Sequence, residues 1–455
     1  ARNLTTAGFK GTVWPVNPRA GEIAGLKAHA SVASLPAAPD LAVIATPPQH
    51  VPDIVAALAG RGTRAAIVIT AGFSEGRDKS GQRRTEAMLR AARPALLRIV
   101  GPNCLGVLAP AVGLNASFAH VHAQPGSLAF VTQSGAVITA VLDWAADRNI
   151  GFSHVVSLGD MCDVDFGDML DYLALDAGTS AILLYIEAIT DARKFMSAAR
   201  AAARAKPVIV VKAGRSAEAR RAAQSHTGAL TGSDAVYDAA FRRAGMLRVE
   251  DIDELFEAVA TLGTGQRIQG QNPHILSNGG GLGVLATDAL IAKGGRMAAL
   301  EPATVGRLDA VLPAGWSRTN PIDIIGDATA ERYGAALDAL LGDRAIDAVL
   351  AINAPTAVAS STDAARAVAE RAAKAPWPVL TNWVGARAAG PARRVFIDAR
   401  LPTFETPRQA VHGFLHLVNY QRNREALMQT PESAPEEIAI DVERARRAMA
   451  AMLAR

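Results

Sequence analysis

Cysteine is scarce in this chain of 455 residues, which contains only Cys104 and Cys162. Two thiols cannot form the disulfide framework of a small secreted domain, and so few suit a reducing cytoplasm. No apolar run approaches the roughly 20 residues of a membrane span, and the first ten residues lack the apolar core of a signal peptide. We therefore expect a cytoplasmic protein that is neither exported nor inserted in a membrane.

Aromatic residues are also few, at 5% of the chain. The net charge is only +4, and the basic residues are scattered along helical stretches. Nucleic-acid binding calls for clustered basic residues interleaved with aromatic ones. We expect no nucleic-acid partner, whereas an anionic small molecule remains compatible with this charge.

Several catalytic motifs are absent. There is no Cys/His cluster or HExxH spacing, so we assign no metal ligand, and there is no GxSxG elbow. The GxGxxG dinucleotide fingerprint is missing as well. Residues 1–18 predict a helix followed by a second strand, so we expect the first strand and glycine turn of a Rossmann-like domain to precede them.

What is present is a repeated pattern of a short aliphatic run, a Gly, Pro or Asn break, and an alanine-rich amphipathic stretch. Continuous aliphatic runs are typical of strands buried on both faces of a parallel sheet. Their alternation with helices predicts an α/β fold of open, doubly wound sheets. Strands are predicted at 41–46, 65–70, 128–132, 181–186, 207–211, 274–277, 347–352 and 378–382. Helices are predicted at 135–148, 191–205, 233–244, 282–294 and 360–374.

Two polar, turn-rich breaks divide the pattern, at 120–127 and 263–273. The length of the chain suggests roughly three domains. Segment 430–437 reads as a linker, and it leads into a helix that runs to the last residue. An isolated helix of about 15 residues is marginal in water, so we expect it to dock or to lead into further sequence.

Two glycine-rich loops follow predicted strands and open helices: VTQSGAV at 131–137 and LSNGGGLG at 276–283. The N–H groups of such a turn and the positive end of the helix suit phosphate. Either loop alone could be a tight structural turn, but two in succession favour phosphate binding. The candidate phosphate-binding residues are Ser134, Gly135, Asn278, Gly279, Gly280 and Gly281.

Two further strand-to-helix loops are IVGPNCLG at 99–106 and VIATPPQH at 43–50. Proline after a strand ends the ladder and fixes the turn, and Asn103 offers a short amide to a ligand. Taken alone, these loops are more typical of ordinary turns.

His226 lies in QSHTGALTG at 224–232, ahead of an amphipathic helix that begins near Ser233. No apolar stripe includes this imidazole, and its small neighbours leave room for a phosphoryl group. Imidazole is a good nucleophile near pH 7 and can form covalent intermediates. From the residues alone, a surface or helix-capping histidine remains an alternative.

Taken in order, these segments resemble the α subunit of succinyl-CoA synthetase, and still more closely the acetate–CoA ligase (ADP-forming) family of NDP-forming acyl-CoA synthetases. The segments are PVNPR, VIATPP, VITAGFSEG, IVGPNCLG, PGSLAFVTQSG, LLYIEAI, KPVIVVKAG and SHTGALTG. The later SNGGGLG, GG at 294–295 and NPIDIIGDAT at 320–329 resemble the carboxy-terminal domain of the succinyl-CoA synthetase β subunit. The resemblance covers about residues 1–425.

The resemblance implies a CoA-binding Rossmann-like domain at 1–123 and two flavodoxin-like domains at 124–265 and 271–425, with a linker and terminal helix at 426–455. Arg19 stands where relatives often have lysine, and either side chain can meet an acidic phosphate of CoA. The CoA contacts that the resemblance implies are Asn17, Pro18, Arg19, Pro47, Pro48, Ile69, Thr70 and Asn103.

The implied reaction joins acetate or another short acid to CoA, with ATP giving ADP and phosphate, through an acyl phosphate and phospho-His226. Glu187 matches the family's glutamate that contacts this histidine, and the two helix N-termini match the pair that faces it. The family binds its nucleotide in an ATP-grasp domain, which this sequence lacks. We expect that domain as a separate β subunit or after Arg455, holding ATP or ADP and Mg, and we expect a homo- or hetero-oligomer.

An alternative is the ligase-like region of a bacterial protein lysine acetyltransferase with a fused GNAT domain, where the chain would sense CoA or acyl-CoA. GLNASF, LDWAADRNIGFSH and DARKFMSAARAAARAKPVIVVKAGRS look much like those fusions. The intact SHTG segment around His226 favours the ligase. A CoA-dependent binding subunit without turnover is a third possibility.

Overall fold

A computed structural model describes residues 1–73, 80–148, 150–219, 221, 232–343, 345–429 and 441–453. His226 therefore lies outside the described residues, as does the linker predicted at 430–437. Among the helices of the described ranges, none is long and apolar enough to cross a membrane.

The chain forms an α/β fold of parallel sheets, which confirms the predicted fold class. The strands and helices predicted between residues 41 and 382 are present, with ends that differ by a few residues. The strand predicted within residues 1–18 is wrong, because after the helix Arg2–Thr6 only an isolated bridge joins Val16 to His29. Pro15 and Pro18 lack the backbone N–H that a strand would donate there. The strands are β1 (Glu22–Ile23), β2 (Leu26–Lys27), β3 (Leu41–Ile44), β4 (Ala65–Val68), β5 (Arg98–Val100), β6 (Gly106–Ala109), β7 (Leu114–Ser117), β8 (Pro125–Thr132), β9 (Phe152–Ser157), β10 (Ala181–Ile186), β11 (Val208–Lys212), β12 (Leu247–Val249), β13 (Pro273–Ser277), β14 (Ile322–Asp323), β15 (Ala348–Asn353), β16 (Val379–Trp383) and β17 (Thr403–Phe404).

The helices alternate with these strands. They are α1 (Arg2–Thr6), α2 (Val51–Gly60), α3 (Ser80–Ala92), α4 (Gly135–Asp147), α5 (Phe166–Leu175), α6 (Ala192–Ala205), α7 (Asp234–Arg243), α8 (Ile252–Leu262), α9 (Gly280–Ala292), α10 (Pro302–Asp309), α11 (Ala330–Leu340), α12 (Ser361–Ala372), α13 (Gly390–Asp398), α14 (Pro407–Met428) and α15 (Val442–Leu453).

The first sheet is parallel, in the order β3-β4-β5. Helices α2 and α3 cover one face, where Val55 and Met88 are completely buried against the strands. The hairpin β6–β7 follows, but it pairs antiparallel with β9 and so belongs to the next sheet. The hairpin lies within residues 1–123, the range predicted for the first domain, although it pairs with a strand of the second sheet. The domain boundary between residues 123 and 124 stays a prediction.

The second sheet has the order β12-β11-β10-β8-β9-β6-β7. Its five parallel strands, β8 to β12, are arranged 2-1-3-4-5, the flavodoxin-like order in which the chain reverses direction between the first and third strands. Helices α5, α6 and α7 pack on one face, and α4 and α8 on the other. Because both faces are covered, β10 is a continuous aliphatic run.

The third sheet has the order β14-β13-β15-β16-β17, again 2-1-3-4-5. Helices α10 to α13 cover one face, and α9 and α14 cover the other. Strands β13, β15 and β16 are buried along their whole length. The last two sheets are thus copies of one topology.

Helix α14 connects the second and third sheets. Phe414 packs in the core of the third sheet, whereas Leu427 packs in the core of the second. The Asn423 side chain donates a hydrogen bond to the Met246 carbonyl at 2.8 Å. Gly413 allows a close approach, since a Cβ there would lie 2.4 Å from the Phe404 ring. This long helix was not among those predicted from the sequence.

Because α14 lies between the second and third sheets, its residue His416 is buried. Burial lowers the pKa of His416 from 6.5 to about 4. Between these values the unfolded chain binds a proton that the folded chain does not, so the free energy of unfolding should fall as the pH drops from 6.5 towards 4. Urea unfolding of His416→Leu at several pH values should show a flatter dependence in this window than the wild type.

The exposed His50 provides a control, because His50→Asn should keep the wild-type pH dependence. The buried His274 also has a lowered pKa through burial, so part of the slope should remain in His416→Leu. Equal slopes for His416→Leu and the wild type would contradict the lowered pKa of His416.

Candidate active site

The point where the second sheet reverses direction is closed by an amide side chain. Gln133 directly follows β8, and its Oε1 accepts hydrogen bonds from the backbone N–H groups of Glu187 at 2.6 Å and Ala188 at 2.8 Å, directly after β10. Since β8 and β10 are the first and third strands, this bond spans the reversal, where open α/β sheets bind their ligands. We refer to it as the Gln133 brace.

The turn beside this brace leads directly into α4. The Thr132 hydroxyl accepts a hydrogen bond from the Ser134 N–H at 2.9 Å, and the helix begins at Gly135. The Ser134 side chain makes no capping bond to the helix. The first N–H groups of any helix have no partner within it and carry a partial positive charge, so this end can accept an anion.

The third sheet repeats this arrangement. The Ser277 hydroxyl accepts from the Gly279 N–H at 3.0 Å, and α9 begins at Gly280. Asn278 Oδ1 accepts from the Ala354 N–H at 2.7 Å, directly after β15, and its Nδ2 donates to the Ala354 carbonyl at 2.9 Å. We refer to this pair of bonds as the Asn278 brace. The two strand-end turns therefore share two kinds of bond. In each, a hydroxyl accepts from the N–H two residues further on, and an amide oxygen accepts from the N–H directly after the neighbouring strand.

The Asn278 brace determines which hydrogen-bond donors of this turn are available to a phosphate. The Asn278 side chain is buried, and both its oxygen and its nitrogen bond the backbone of Ala354, so the backbone N–H groups at the start of α9 are the main groups offered to an anion. Gly280 cannot be replaced freely, because a Cβ there would lie 2.6 Å from Asp323 Oδ2. Gly281 has open space where a Cβ would be.

Two residues of this region were not identified from the sequence. Gln133 could have been found by aligning its loop with LSNGGGLG, since Gln133 and Asn278 are each an amide one residue after a buried strand. Asp323 places a carboxylate beside the start of α9, and it lies in the NPIDIIGDAT segment. Its Oδ1 accepts from the Ile325 N–H at 3.0 Å.

Glu187 lies beside the Gln133 turn, as the first residue after β10. Its side chain is half-buried. The pKa of the neighbouring Tyr185 is raised by burial and, to a smaller extent, by the negative charge of the Glu187 carboxylate. The equivalent position in the third sheet is Ala354. The residue after the braced strand therefore carries a carboxylate in the second sheet and a methyl group in the third, where the carboxylate near the helix end belongs to Asp323 instead.

His226 is not described, but the elements that flank its segment are. Strand β11 ends at Lys212, which lies opposite Ile186 in the parallel pairing with β10. The chain leading to His226 therefore leaves from the same edge of the sheet as Glu187. Lys212 itself is buried, with its ammonium 4.5 Å from the centre of the Tyr237 ring.

Five of the eight CoA candidates lie together at the carboxyl ends of the first sheet. The Ile69 N–H donates to the carbonyl of Ile44, the last residue of β3, at 2.9 Å. The Thr70 hydroxyl donates to the Thr46 carbonyl at 2.7 Å, directly before Pro47 and Pro48. Thr70 in turn accepts from the Asn103 N–H at 2.9 Å. The candidates that these bonds unite are Pro47, Pro48, Ile69, Thr70 and Asn103.

Asn103 also contacts the second sheet. It adopts a left-handed backbone conformation with φ of 56°, and its Nδ2 donates to Asp160 Oδ1 at 3.3 Å. Asp160 lies in the loop after β9, and its N–H donates to the Pro102 carbonyl at 2.9 Å. The CoA candidates thus adjoin the second sheet.

The remaining candidates, Asn17, Pro18 and Arg19, form a separate turn. Asn17 Oδ1 accepts from the N–H groups of Arg19 at 2.8 Å and Ala20 at 3.1 Å. The described hydrogen bonds tie this turn to itself and to His29, and not to the other five candidates. Arg19 is exposed. Within the described ranges, no group of three or more His, Cys, Asp or Glu side chains could hold a metal ion.

Comparison with known families agrees with this geometry. Residues 1–110 match the CoA binding domain, and residues 125–262 match the succinyl-CoA ligase like flavodoxin domain. Subunit alpha of acetate–CoA ligase [ADP-forming] II from Pyrococcus furiosus is 36% identical over 417 residues, which are 91% of each chain. The chain belongs to the NDP-forming acyl-CoA synthetases.

A solved member of this family has the same fold. The acetyl-coenzyme A synthetase 1 of Ca. Korarchaeum cryptofilum, in complex with phosphate and ADP, is 33% identical, and its TM-score is 0.82. The alignment covers 94% of this synthetase chain and 92% of the other. Because the match extends over the three larger sheets, these sheets follow one another along the chain in the same order as in that relative.

Some relatives are longer than this chain. Acetate–CoA ligase [ADP-forming] I from Archaeoglobus fulgidus is 38% identical over 96% of this synthetase chain, but the chain spans only 62% of that relative. It spans 45% of the acetate–CoA ligase from Methanocaldococcus jannaschii. The relatives are named as ligases, which favours the ligase interpretation over the acetyltransferase-linked alternative.

The Gln133 brace can be tested by stability. Gln133→Ala removes the acceptor of two N–H groups, and Ala188 is only 8% exposed. We expect the free energy of unfolding to fall by about 1–3 kcal/mol, the usual cost of leaving buried donors unpaired. Urea unfolding measures this, with Gln82→Ala as the control, since Gln82 is exposed and bonds Glu86 one turn along α3. Equal stability of the two variants would contradict the brace.

Proposed function

We propose that this chain is the CoA- and acyl-phosphate-handling part of an acyl-CoA synthetase (NDP-forming). The reaction joins acetate or another short carboxylic acid to CoA, while ATP is converted to ADP and phosphate. The observation that carries the proposal is the repeated turn: both flavodoxin-like sheets present a helix N-terminus at the point where the strand order reverses. Two such ends suit a phosphoryl group that carries two negative charges.

In the ATP-forming direction, a phosphate oxygen attacks the acyl carbonyl carbon of acyl-CoA. The carbon–sulfur bond breaks, CoA leaves as its thiol after taking a proton, and an acyl phosphate remains. A ring nitrogen of His226 then attacks the phosphorus, and the bond to the carboxylate oxygen breaks, which releases the free acid. The phosphoryl group on His226 is finally transferred to the terminal phosphate oxygen of ADP.

The N-termini of α4 and α9 would stabilise the charge that moves in these steps. Their N–H groups are fixed before the substrate arrives, so no reorganisation is needed as the charge develops. Phosphoryl transfer depends mainly on positioning and on charge stabilisation. The braces at Gln133 and Asn278 would supply that fixed position.

Glu187 would orient the histidine. It lies at the end of β10, next to the strand from which the chain leads to His226. A carboxylate that accepts a hydrogen bond from one ring nitrogen leaves the other free as the nucleophile, and it stabilises the positive charge of the ring during transfer. The position is held because the Glu187 backbone N–H is bonded to Gln133.

CoA would bind at the carboxyl ends of the first sheet. The cluster around Pro47, Thr70 and Asn103 adjoins the second sheet through Asp160, so a thioester held there lies near the sheet that carries the Gln133 turn. Arg19 is exposed and always charged, so it is suited to an acidic phosphate of CoA.

The nucleotide and its magnesium would bind to an ATP-grasp part that this sequence lacks. Two relatives from Pyrococcus furiosus are named as α subunits of ligases, which supports a partner subunit, and the longer relatives support a fused arrangement equally well. Acetate is the acid named for several relatives, whereas 4-hydroxybutyrate is named for one from Nitrosopumilus maritimus. Acetate is therefore the first acid to test.

The histidine step has a direct test. Incubation with acetyl-CoA and labelled phosphate should give the protein a label that is stable in base and labile in acid, as expected for phosphohistidine. His226→Ala should abolish this label, because the nucleophile is lost, while equilibrium binding of CoA stays unchanged. Labelling is measured after separation of the protein from free phosphate.

Glu187→Gln serves as an intermediate variant in the same assay. It should be labelled more slowly than the wild type with the same affinity for CoA, since the imidazole is present but poorly oriented. An unlabelled wild-type protein would count against the synthetase activity. Label that persists in His226→Ala would place the phosphorylated residue elsewhere.

A further inference from the structure

A buried charged residue joins the second and third sheets. Glu254 lies on α8, which packs on the second sheet, and it is 8% exposed. It faces α14 and the end of α9, and both of these helices pack on the third sheet. A buried carboxylate is costly unless several groups compensate its charge, so its contacts show what the site holds together.

The Glu254 carboxylate is contacted by one nitrogen from each of three neighbouring elements. Its Oε2 accepts from the Glu250 N–H at 2.9 Å, within its own helix-capping turn. Its Oε1 lies 3.1 Å from His412 Nδ1 on α14 and 3.5 Å from Lys293 Nζ, directly after α9. Burial alone would raise the pKa of Glu254, but the bond from His412 and these other groups lower it to about 2. The carboxylate is therefore charged at neutral pH.

The contact with Lys293 is linked to the candidate phosphate site through the length of α9. Lys293 follows the last residue of α9, and the same helix begins at Gly280 with the turn held by the Asn278 brace. An α-helix is rigid over 13 residues, about 20 Å, so a displacement of its last residue is transmitted to its first. Glu254 thus limits where the Gly280 turn can lie.

The same ion pairs extend towards the His226 segment. Glu250 Oε1 lies 2.6 Å from Lys293 Nζ, and Glu250 Oε2 lies 3.9 Å from the guanidinium of Arg215. Arg215 follows β11 by three residues, on the chain that leads to His226. The side chains of Glu250 and Arg215 are 52% and 42% exposed, so these pairs are weak, and Glu254 is the buried centre of the group.

Helix α14 gives Glu254 a rigid support. Next to His412, Gly413 lies so close to α8 that a Cβ would be 3.0 Å from the Thr261 hydroxyl oxygen. The other acid that faces His412 is Glu257, at 3.8 Å, and its pKa is raised by burial. Glu257 is therefore a poorer counter-charge than Glu254, although the two lie one turn apart on α8.

We propose that Glu254 is a positioning residue for phosphoryl transfer, which holds the start of α9 at the distance from the second sheet that a shared phosphoryl group requires. The inference rests on the proposed function, since it concerns the same site. A phosphoryl group can contact both helix ends only if their separation is fixed, and a displacement of about 1 Å can cost two orders of magnitude in rate. Binding of CoA, which lies at the first sheet, does not depend on this distance.

The test uses single-turnover phosphorylation of the full-length protein by acetyl-CoA and labelled phosphate. Glu254→Gln keeps the shape of the side chain but removes its charge. It should lower the rate constant at saturating acetyl-CoA by about fivefold or more, with the half-saturating concentration of acetyl-CoA unchanged. Glu370→Gln is the matched control, because this exposed acid lies on α12, away from the second sheet, and pairs there with Arg371 and with Lys374 just after the helix; its rate constant should equal that of the wild type.

The inference is overturned if Glu254→Gln folds and its rate constant is less than fivefold below that of the wild type. It is also overturned if a larger loss of rate comes with an equal rise in the half-saturating concentration of acetyl-CoA. If Glu254→Gln does not fold, Lys293→Met decides, since its side chain is 33% exposed and is tolerated more easily. This variant should be slower than the wild type with unchanged half-saturation, and wild-type kinetics overturn the inference. Absence of label in the wild type would instead reject the proposed function.

Discussion

The candidate site depends on one kind of hydrogen bond, the amide brace across the reversal of a parallel sheet. A helix N-terminus attracts anions wherever it occurs, but it can receive a transferred group only if the turn before it is held in place. Gln133 and Asn278 supply this constraint by bonding the backbone beyond the neighbouring strand. In both turns a hydroxyl, of Thr132 or Ser277, bonds the N–H two residues further on.

The two copies of this turn differ in a way that suits different roles. In the second sheet, the position bonded by the brace is Glu187, which has a carboxylate, whereas in the third sheet it is Ala354, which has none. The third sheet has instead the carboxylate of Asp323 at the side of the helix end. In the proposed mechanism, the carboxylate of the second sheet orients the imidazole, whereas the braced position of the third sheet offers backbone groups alone. Helix α14 and Glu254 join the two copies.

Local sequence was sufficient for much of this fold and insufficient for the contacts between its parts. The continuous aliphatic run of β10 and the amphipathic, alanine-rich pattern of α6 predict their own structure, because burial of both faces of a strand or of one face of a helix leaves a local signature. The hairpin β6–β7 was missed, since its partner β9 lies beyond another strand in sequence. Gln133 was missed for the same reason: its partners are 54 and 55 residues away. The glycine-rich turns were found because their composition is itself unusual.

The central claim is that one phosphoryl group is held between the two helix ends. An experimental structure of the protein after phosphorylation by acetyl-CoA and phosphate tests it most directly. We expect this structure to show a phosphoryl group on the ring of His226, with oxygens within about 3 Å of backbone nitrogens at the start of α4 and at the start of α9. A phosphorylated His226 that contacts neither helix end would contradict it.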